Sequence, residues 1–498
     1  MFELALIFIF FVWHYSLFCG FVSDDHAVIE ARKDIIPDAE KNPSKESYWV
    51  KVFNDGIVMY YLNVLLRCTP FRYSAFIWHS LCVGLHLVNC YLLYIFLSGI
   101  VGAQSALAVV VLWAINPMLN QNVTWVSGRP YLIGFMFGMI CLLYHSNPII
   151  FFPFYVLGVI TNISIALIPI LLKILYPSWQ SNFYIAVMIV CGFPFILWKF
   201  KRRFTTSLVL DRENFKFKRR RFNALVKLFG YYALSFIYPY KMGWYHQSGF
   251  RYNVKWEKFN YTTLLSYVFL IFLARQGFAG WWFILGILPN ANLFATNSFI
   301  QDRYIYFGSV GLFILIAPIL WMRPELYFFI LGIYAIRTWE YTTKMKNDET
   351  LYRENIRNHP KSDYAYNNLS YFLIQQNRHE EAKMIIFKGL EKDKENKMLW
   401  YNLGVCWAAT GNLSSEEGRF RFLRAVECWK QALQLEPRWE KPKNDLKTLI
   451  EFLVKNKIIT LDPNEAIPGS EMSLPVGGVS GTGNQEIKPE EIGTAAGS

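Results

Sequence analysis

The stretch F-E-L-A-L-I-F-I-F-F-V-W-H-Y-S-L-F-C-G-F-V-S-D-D-H, residues 2–26, decides the class of this chain. From Phe2 to Val22 it is almost wholly apolar, and about 20 such residues as a helix cross a hydrocarbon core about 30 Å thick. It is too long for a removable signal peptide and lacks the small-residue cleavage site of one. We therefore expect a retained first membrane helix. Where it meets water, Phe21-Val22-Ser23-Asp24-Asp25-His26 presents two adjacent carboxylates. Like charges held close drive their pKa values apart, which suits general-base chemistry; an aspartate N-cap leading into a solvated loop fits the same spacing equally well.

Working outward, the composition sets the same class. Of 498 residues, 54% are hydrophobic and 18% aromatic, and the mean hydropathy is +0.22. That is far too apolar for an ordinary soluble enzyme of this length. The formal charge of +13 could point to nucleic acid, but Lys199 to Arg221 alone holds ten Lys/Arg against two acids. This block lies between apolar segments, so it reads as a cytoplasmic loop under the positive-inside rule, with no nucleic-acid partner. The eight cysteines are singletons at 19, 68, 82, 90, 141, 191, 406 and 428, and their spacing implies neither a disulfide framework nor a zinc site.

After a first polar loop over residues 23–74, whose middle from Trp49 to Arg67 has the spacing of an interfacial amphipathic helix, apolar spans are expected at about 75–97, 103–116, 131–144 and 149–176. Further spans are expected at 184–198, 224–238, 264–273, 281–293, 304–321 and 326–336. The run 149–176 is interrupted at Thr161-Asn162 and forms one broken span or two half-helices. Counted as one, it gives eleven crossings and puts the basic block, Arg275 and Arg323 on one inner face. Loop 23–74, Asn116 to Pro130, Lys241 to Asn260, the segment around Asp302 and everything after residue 343 then share the outer face.

The C-terminal part carries an internal repeat. Tyr366 and Leu369 recur 34 residues later as Trp400 and Leu403, and Ala382 and Leu390 recur 43 later as Ala425 and Leu433, with nine residues inserted near Asn412 to Phe420. This is the pattern of tetratricopeptide repeats, paired helices whose small residues allow close packing. A half-repeat at Thr350 to Pro360 and a capping helix at about Lys443 to Val454 complete it. The expected fold is all-α: a polytopic membrane bundle of about eleven spans over 1–343, a short tetratricopeptide solenoid over 344–456, and a disordered tail over 457–498.

Two arginines stand at span mouths on the outer face, Arg129 in Trp125-Val126-Ser127-Gly128-Arg129 and Arg303 in Asp302-Arg303-Tyr304-Ile305-Tyr306. Singly, each reads first as an interfacial anchor. Together with two outward carboxylates they suit an anionic lipid substrate, because guanidinium grips phosphate bidentately and a carboxylate can take a hydroxyl proton. His79, His86 and Asn89 share one helix face, where core packing is the more frequent role. The five Asn-x-Ser/Thr sequons (Asn122, Asn162, Asn260, Asn368, Asn412) arise too readily by chance to decide anything alone.

In their order, these motifs resemble the family of transmembrane and tetratricopeptide-repeat-containing proteins, glycosyltransferases of the C superfamily. The resemblance rests on the aspartate pair with His26, on His79, His86 and Asn89, on Trp125 to Arg129, on Leu288-Pro289 with Asn292-Leu293, and on Asp302 to Tyr306 followed by Ser309-Val310-Gly311. It implies transfer of a sugar, mannose foremost, from a polyprenyl-phosphate carrier to a Ser or Thr hydroxyl of an acceptor protein held by the repeats, in the endoplasmic-reticulum lumen or its bacterial inner-membrane equivalent. By position, Asp24 or Asp25 would be the base, and Arg129 and Arg303 would hold the donor phosphate. His26, His86, Trp125, Asp302 and Tyr304 would support them. No cofactor is implied with certainty; a divalent metal, Mg or Mn, is left open. Asn116-Pro117 stands where the family usually has His-Pro. A non-catalytic repeat scaffold, or a lipid-linked-sugar ligase or transporter, are the competing expectations.

Overall fold

The computed structural model describes residues 1–26, 29, 61–63, 65–66, 69–70, 74–177, 179–193, 220–240, 242–243, 259–291 and 300–459. Most of the interfacial stretch 49–67, the basic block up to residue 219, Asn292-Leu293 and the tail beyond 459 lie outside them. Among the described residues 82% are helical and none is in a strand, as the apolar periodicity required. The chain divides into two compact units, Met1–Phe372 and Leu373–Ser498.

In the first unit the helices of eight residues or more are α1 (Phe2–Trp13), α2 (Ala75–Val101), α3 (Ala103–Ala114), α4 (Arg129–Leu143), α5 (Pro148–Thr161), α6 (Ile168–Leu175), α7 (Trp179–Val187), α8 (Arg220–Ile237), α9 (Tyr261–Arg275), α10 (Gly277–Ile287), α11 (Ser309–Trp321), α12 (Pro324–Lys344) and α13 (Asp348–Asn358). The helix α14 (Asp363–Gln375) contains the division between the units. Two described helical stretches, Ala75–Val101 and Val126–Leu143, are long and apolar enough to cross a membrane. A third results if Ala103–Ala114 and Pro117–Val123, bent by 59°, act as one.

Several elements depart from their expected lengths for identifiable reasons. The first helix stops at Trp13 and tightens into a 3₁₀ turn over His14–Phe18 instead of running to Val22. There the chain finds partners outside itself: Ser16 Oγ lies 2.9 Å from Thr124 Oγ1, and the Gly20 amide donates to the Lys346 carbonyl at 2.9 Å. The break at Asn162 is present, its side chain accepting from the Ser164 amide at 3.0 Å and starting a separate 3₁₀ turn. Helix α12 continues past 336 to Lys344. Thr338 and Thr342 are buried and spend their hydroxyls on backbone carbonyls, at 2.7 Å to Ile115 and to Thr338 respectively, while Arg337 pairs with Glu340 on the exposed side.

The bundle closes on small residues and a buried polar layer. A Cβ at Gly286 would stand 2.4 Å from Gly308 Cα, so α10 and the turn before α11 meet backbone to backbone. Trp13, His86, Trp113, Phe135 and Tyr306 form one aromatic cluster. Both ring nitrogens of His86 and the Asn89 amide nitrogen are hydrogen-bonded, while Asn89 Oδ1 is buried without a partner. The His86 Nε2–H donates to the Ala114 carbonyl at 2.9 Å, Nδ1 accepts from the Tyr306 hydroxyl at 2.6 Å, and Asn89 Nδ2 donates to that hydroxyl and to the Leu132 carbonyl. Histidine and asparagine thus tie α2 to α3, α4 and the segment before α11, where unmade hydrogen bonds would be costly.

In the second unit, α15 (His379–Lys392), α16 (Lys397–Thr410), α17 (Glu416–Leu435) and α18 (Glu440–Lys455) follow one another, each packed against the next. The repeat positions Ala382, Leu390, Leu403, Ala425 and Leu433 are buried. Most of the nine-residue insertion lengthens α17 to 20 residues against 14 in α15. Gly404 gives way to the indole of Trp429, which donates to the Tyr401 carbonyl at 3.1 Å.

Candidate functional site

The site is built on the loop between α3 and α4. Asn116 starts it, its Oδ1 accepting from the Met118 amide at 2.9 Å and its Nδ2 donating to the Phe236 carbonyl at 3.0 Å. Here the asparagine acts as a cap and a tie to α8. One helical turn over Asn120–Val123 follows, then Trp125, a 3₁₀ turn over Val126–Gly128, and α4 from Arg129. Gly128 permits the fold-back: a Cβ there would meet the Gln121 carbonyl oxygen at 2.5 Å and the Asn122 carbonyl oxygen at 3.1 Å.

The two aspartates diverge. Ser23 adopts a left-handed φ of 56°, a strained conformation for a residue with a Cβ, costing about 1–3 kcal/mol. After it Asp24 is exposed and Asp25 fully buried. The Asp25 carboxylate accepts from the Ser127 amide at 2.8 Å, the Ser127 hydroxyl at 2.5 Å and the Val22 amide at 3.3 Å. Burial pushes its pKa up to about 6, against the opposing pull of Ser127, Val22 and the charge of Arg129. Asp348, at the start of α13, holds the strained turn from the other side: Oδ1 accepts from the Ser23 amide at 2.7 Å and Oδ2 lies 3.0 Å from His26 Nε2.

The arginines occupy different environments. Arg129 is fully buried, lies 4.3 Å over the Trp78 ring, and donates from Nε to the Val126 carbonyl at 2.7 Å and from Nη2 to Asn63 Oδ1 at 3.1 Å. Arg303 is half-buried, with its guanidinium 4.9 Å over Trp125 and 5.5 Å over Tyr304. Its backbone is clamped by the same loop: the Arg303 amide donates to Gln121 Oε1 and Asn122 Nδ2 donates to the Arg303 carbonyl, both at 3.0 Å.

Asp25, Arg129, Arg303 and Trp125 therefore converge on residues 116–130, with Asp24 and His26 carried by the turn that Asp25 and Asp348 anchor. Tyr304 is buried beside Tyr131, and Asp302 is buried near the Gly243 amide. His86 belongs to the core layer, away from this loop's polar face. His79 reaches toward the site with Nε2 3.3 Å from the Gly20 carbonyl. Compared with models of known protein families, with curated proteins and with solved structures, the chain matches none.

Ser127, Gln121, Asn122, Asn63 and Asp348 were not singled out from the sequence as site residues. Ser127 sits at a variable position within Trp125 to Arg129 and Gln121 four residues before that stretch, and neither carries a charge to draw attention. In the structure Asp348 follows the N-cap Asn347 in the first turn of α13. Among the described residues no three His, Cys, Asp or Glu side chains gather to hold a metal ion, so we derive no step through one. A separate cavity of about 570 Å³ lies between α8 and α9, lined by Lys227, Tyr231, Leu234, Leu265, Ser266 and Phe269. The α8 helix joins it to the site, because the Tyr232 hydroxyl donates to the Gln301 carbonyl at 3.0 Å, two residues before Arg303.

Proposed function

We propose that the chain is a multi-spanning membrane glycosyltransferase that moves a sugar from a polyprenyl-phosphate donor to a Ser or Thr hydroxyl of an acceptor protein on the outer face. The observation that carries this is the gathering of Asp25 and Arg303, from segments far apart in sequence, on the buried loop 116–130 that itself bears Arg129, with Asp24 exposed on the turn that Asp25 anchors. A scaffold needs no such gathering.

In this mechanism Asp24, the exposed carboxylate, takes the proton of the acceptor hydroxyl. Asp25 is a positioning residue that locks Ser127 and so fixes the loop against the Asp24 turn. Arg303, its guanidinium over Trp125 and near Tyr304 and its backbone clamped, presents its fork to the donor phosphate. Charge grows on that phosphate as the glycosidic bond breaks, so a preorganised cation stabilises the transition state more than the ground state. Arg129 supports from behind: it is packed on Trp78, and its charge acts on Asp25. A single in-line displacement inverts the anomeric carbon. The apolar cavity along α8 suits the prenyl chain of a donor whose phosphate sits at Arg303. Eleven crossings, favoured by the basic inner loops, put the helix pairs of the second unit on the same outer side, where a short tetratricopeptide solenoid would offer the acceptor.

The test is incubation of the purified chain with a labelled polyprenyl-phosphate sugar and an acceptor peptide. Transfer supports the proposal; no transfer from any such donor favours a non-catalytic scaffold.

A further inference from the structure

We infer that Asn412 is the N-glycosylation acceptor of this chain, the one of five sequons that the fold leaves able to receive a glycan. The inference rests on the outer-face location of the second unit proposed above. A glycan is bulky and hydrophilic and is tolerated only where the asparagine and its surroundings meet water. Asn122 fails this, being fully buried with Nδ2 committed to the Arg303 carbonyl and Thr124 buried beside it. Asn162 is buried at the break after α5, and the hydroxyl of its partner Ser164 accepts from Asn290 at 2.6 Å. Asn368 lies within α14, with Ser370 wholly buried and its hydroxyl donated to the Asn367 carbonyl. Asn260 is exposed, but it caps α9 four residues before the expected span at Leu264, and Thr262 lines the apolar cavity.

Asn412 differs from all of these. It is exposed, in the short loop between α16 and α17, and its sequon serine Ser414 is exposed too. Its Oδ1 accepts from the Ser414 amide at 3.1 Å, the Ser415 amide at 3.1 Å and the Ser415 hydroxyl at 3.0 Å. All three bonds use the oxygen, which leaves Nδ2, the atom that carries a glycan, on the water side of a side chain already held in place. Transfer forms the bond from Nδ2 to the anomeric carbon of a polyprenyl-diphosphate oligosaccharide as the bond from that carbon to the diphosphate oxygen breaks. Polyprenyl diphosphate leaves with the electron pair, and one amide proton passes to a base of the transferring enzyme. The three turn bonds to Oδ1 survive the modification.

The experiment is expression of the full chain, tagged at its C-terminus, in mammalian cells, with glycosidase-sensitive gel mobility as readout. Protease protection of the tag in sealed microsomes is measured alongside. The expected result is a single glycan step that disappears in Asn412→Gln and in Ser414→Ala, and persists in Asn260→Gln and Asn368→Gln. Ser414→Ala guards against misfolding, because Ser414 contributes only its backbone amide to the turn. A step that survives both Asn412→Gln and Ser414→Ala overturns the inference. Absence of any step with the tag protected overturns it alone, and absence with the tag digested overturns it together with the outer-face location.

Discussion

Replacing Asp25 by Asn tests whether the buried carboxylate anchors the site as described. In the folded chain burial lifts this group from an ordinary 3.8 to about 6. Between those values the folded state binds a proton that the unfolded state has released, so stability is greatest below about pH 4 and falls as pH rises through 6. The gap corresponds to about 3 kcal/mol at one pKa unit per about 1.4 kcal/mol. The asparagine of the variant carries no proton to lose, so the variant lacks this share of the pH dependence. Its oxygen can still accept from Ser127, while the Val22 amide loses its acceptor at a cost of about 1–3 kcal/mol. The assay is thermal unfolding in detergent micelles from pH 4 to 7, followed by a thiol-reactive dye on the buried Cys82, Cys90 and Cys141. The wild type is expected to lose stability relative to Asp25→Asn as pH rises across this window. A constant difference would mean that the carboxylate is not desolvated, and a wild type that gains on the variant would mean that Arg129 outweighs burial.

Gly128→Ala forces a Cβ against the backbone of Gln121 and Asn122, which cannot recede without moving the clamp on Arg303; we expect about 1–3 kcal/mol of destabilisation and a loss of sugar transfer larger than the loss of folded protein. Arg303→Lys keeps the charge but not the planar fork or its stacking on Trp125. It should lower turnover with little change in unfolding temperature, and wild-type turnover would make Arg303 an interfacial anchor. Gly404→Ala puts a Cβ 2.4 Å from Trp429 Nε1. It should destabilise the second unit by about 1–3 kcal/mol, read as faster limited proteolysis between α16 and α17.

The helical class was legible because apolar runs and the repeat offsets of 34 and 43 residues are properties of local sequence. Helix ends were not. The first helix stops near Trp13 because Ser16 and Gly20 bond to Thr124 and Lys346, partners more than a hundred residues away. Helix α12 runs on because Thr338 and Thr342 are buried by contacts a hydropathy window does not register. The same holds at the site. Charge and motif order pointed to Asp24, Asp25, Arg129 and Arg303, without deciding between the two aspartates. That Arg129 would be buried on Trp78 while Arg303 stays half-exposed depends on Asn63, Gln121 and Asn122, neutral side chains whose value lies wholly in where the fold puts them.

In the proposed sugar transfer Asp24 is the base. The most direct test of that role is the rate at which purified wild type and Asp24→Asn move label from a polyprenyl-phosphate sugar to a Ser/Thr peptide. Asn keeps the shape of the side chain and removes its basicity, so measurable transfer by the wild type and a loss of about 100-fold or more in the variant are expected, with expression and unfolding temperature unchanged. Equal rates in the two proteins would contradict it.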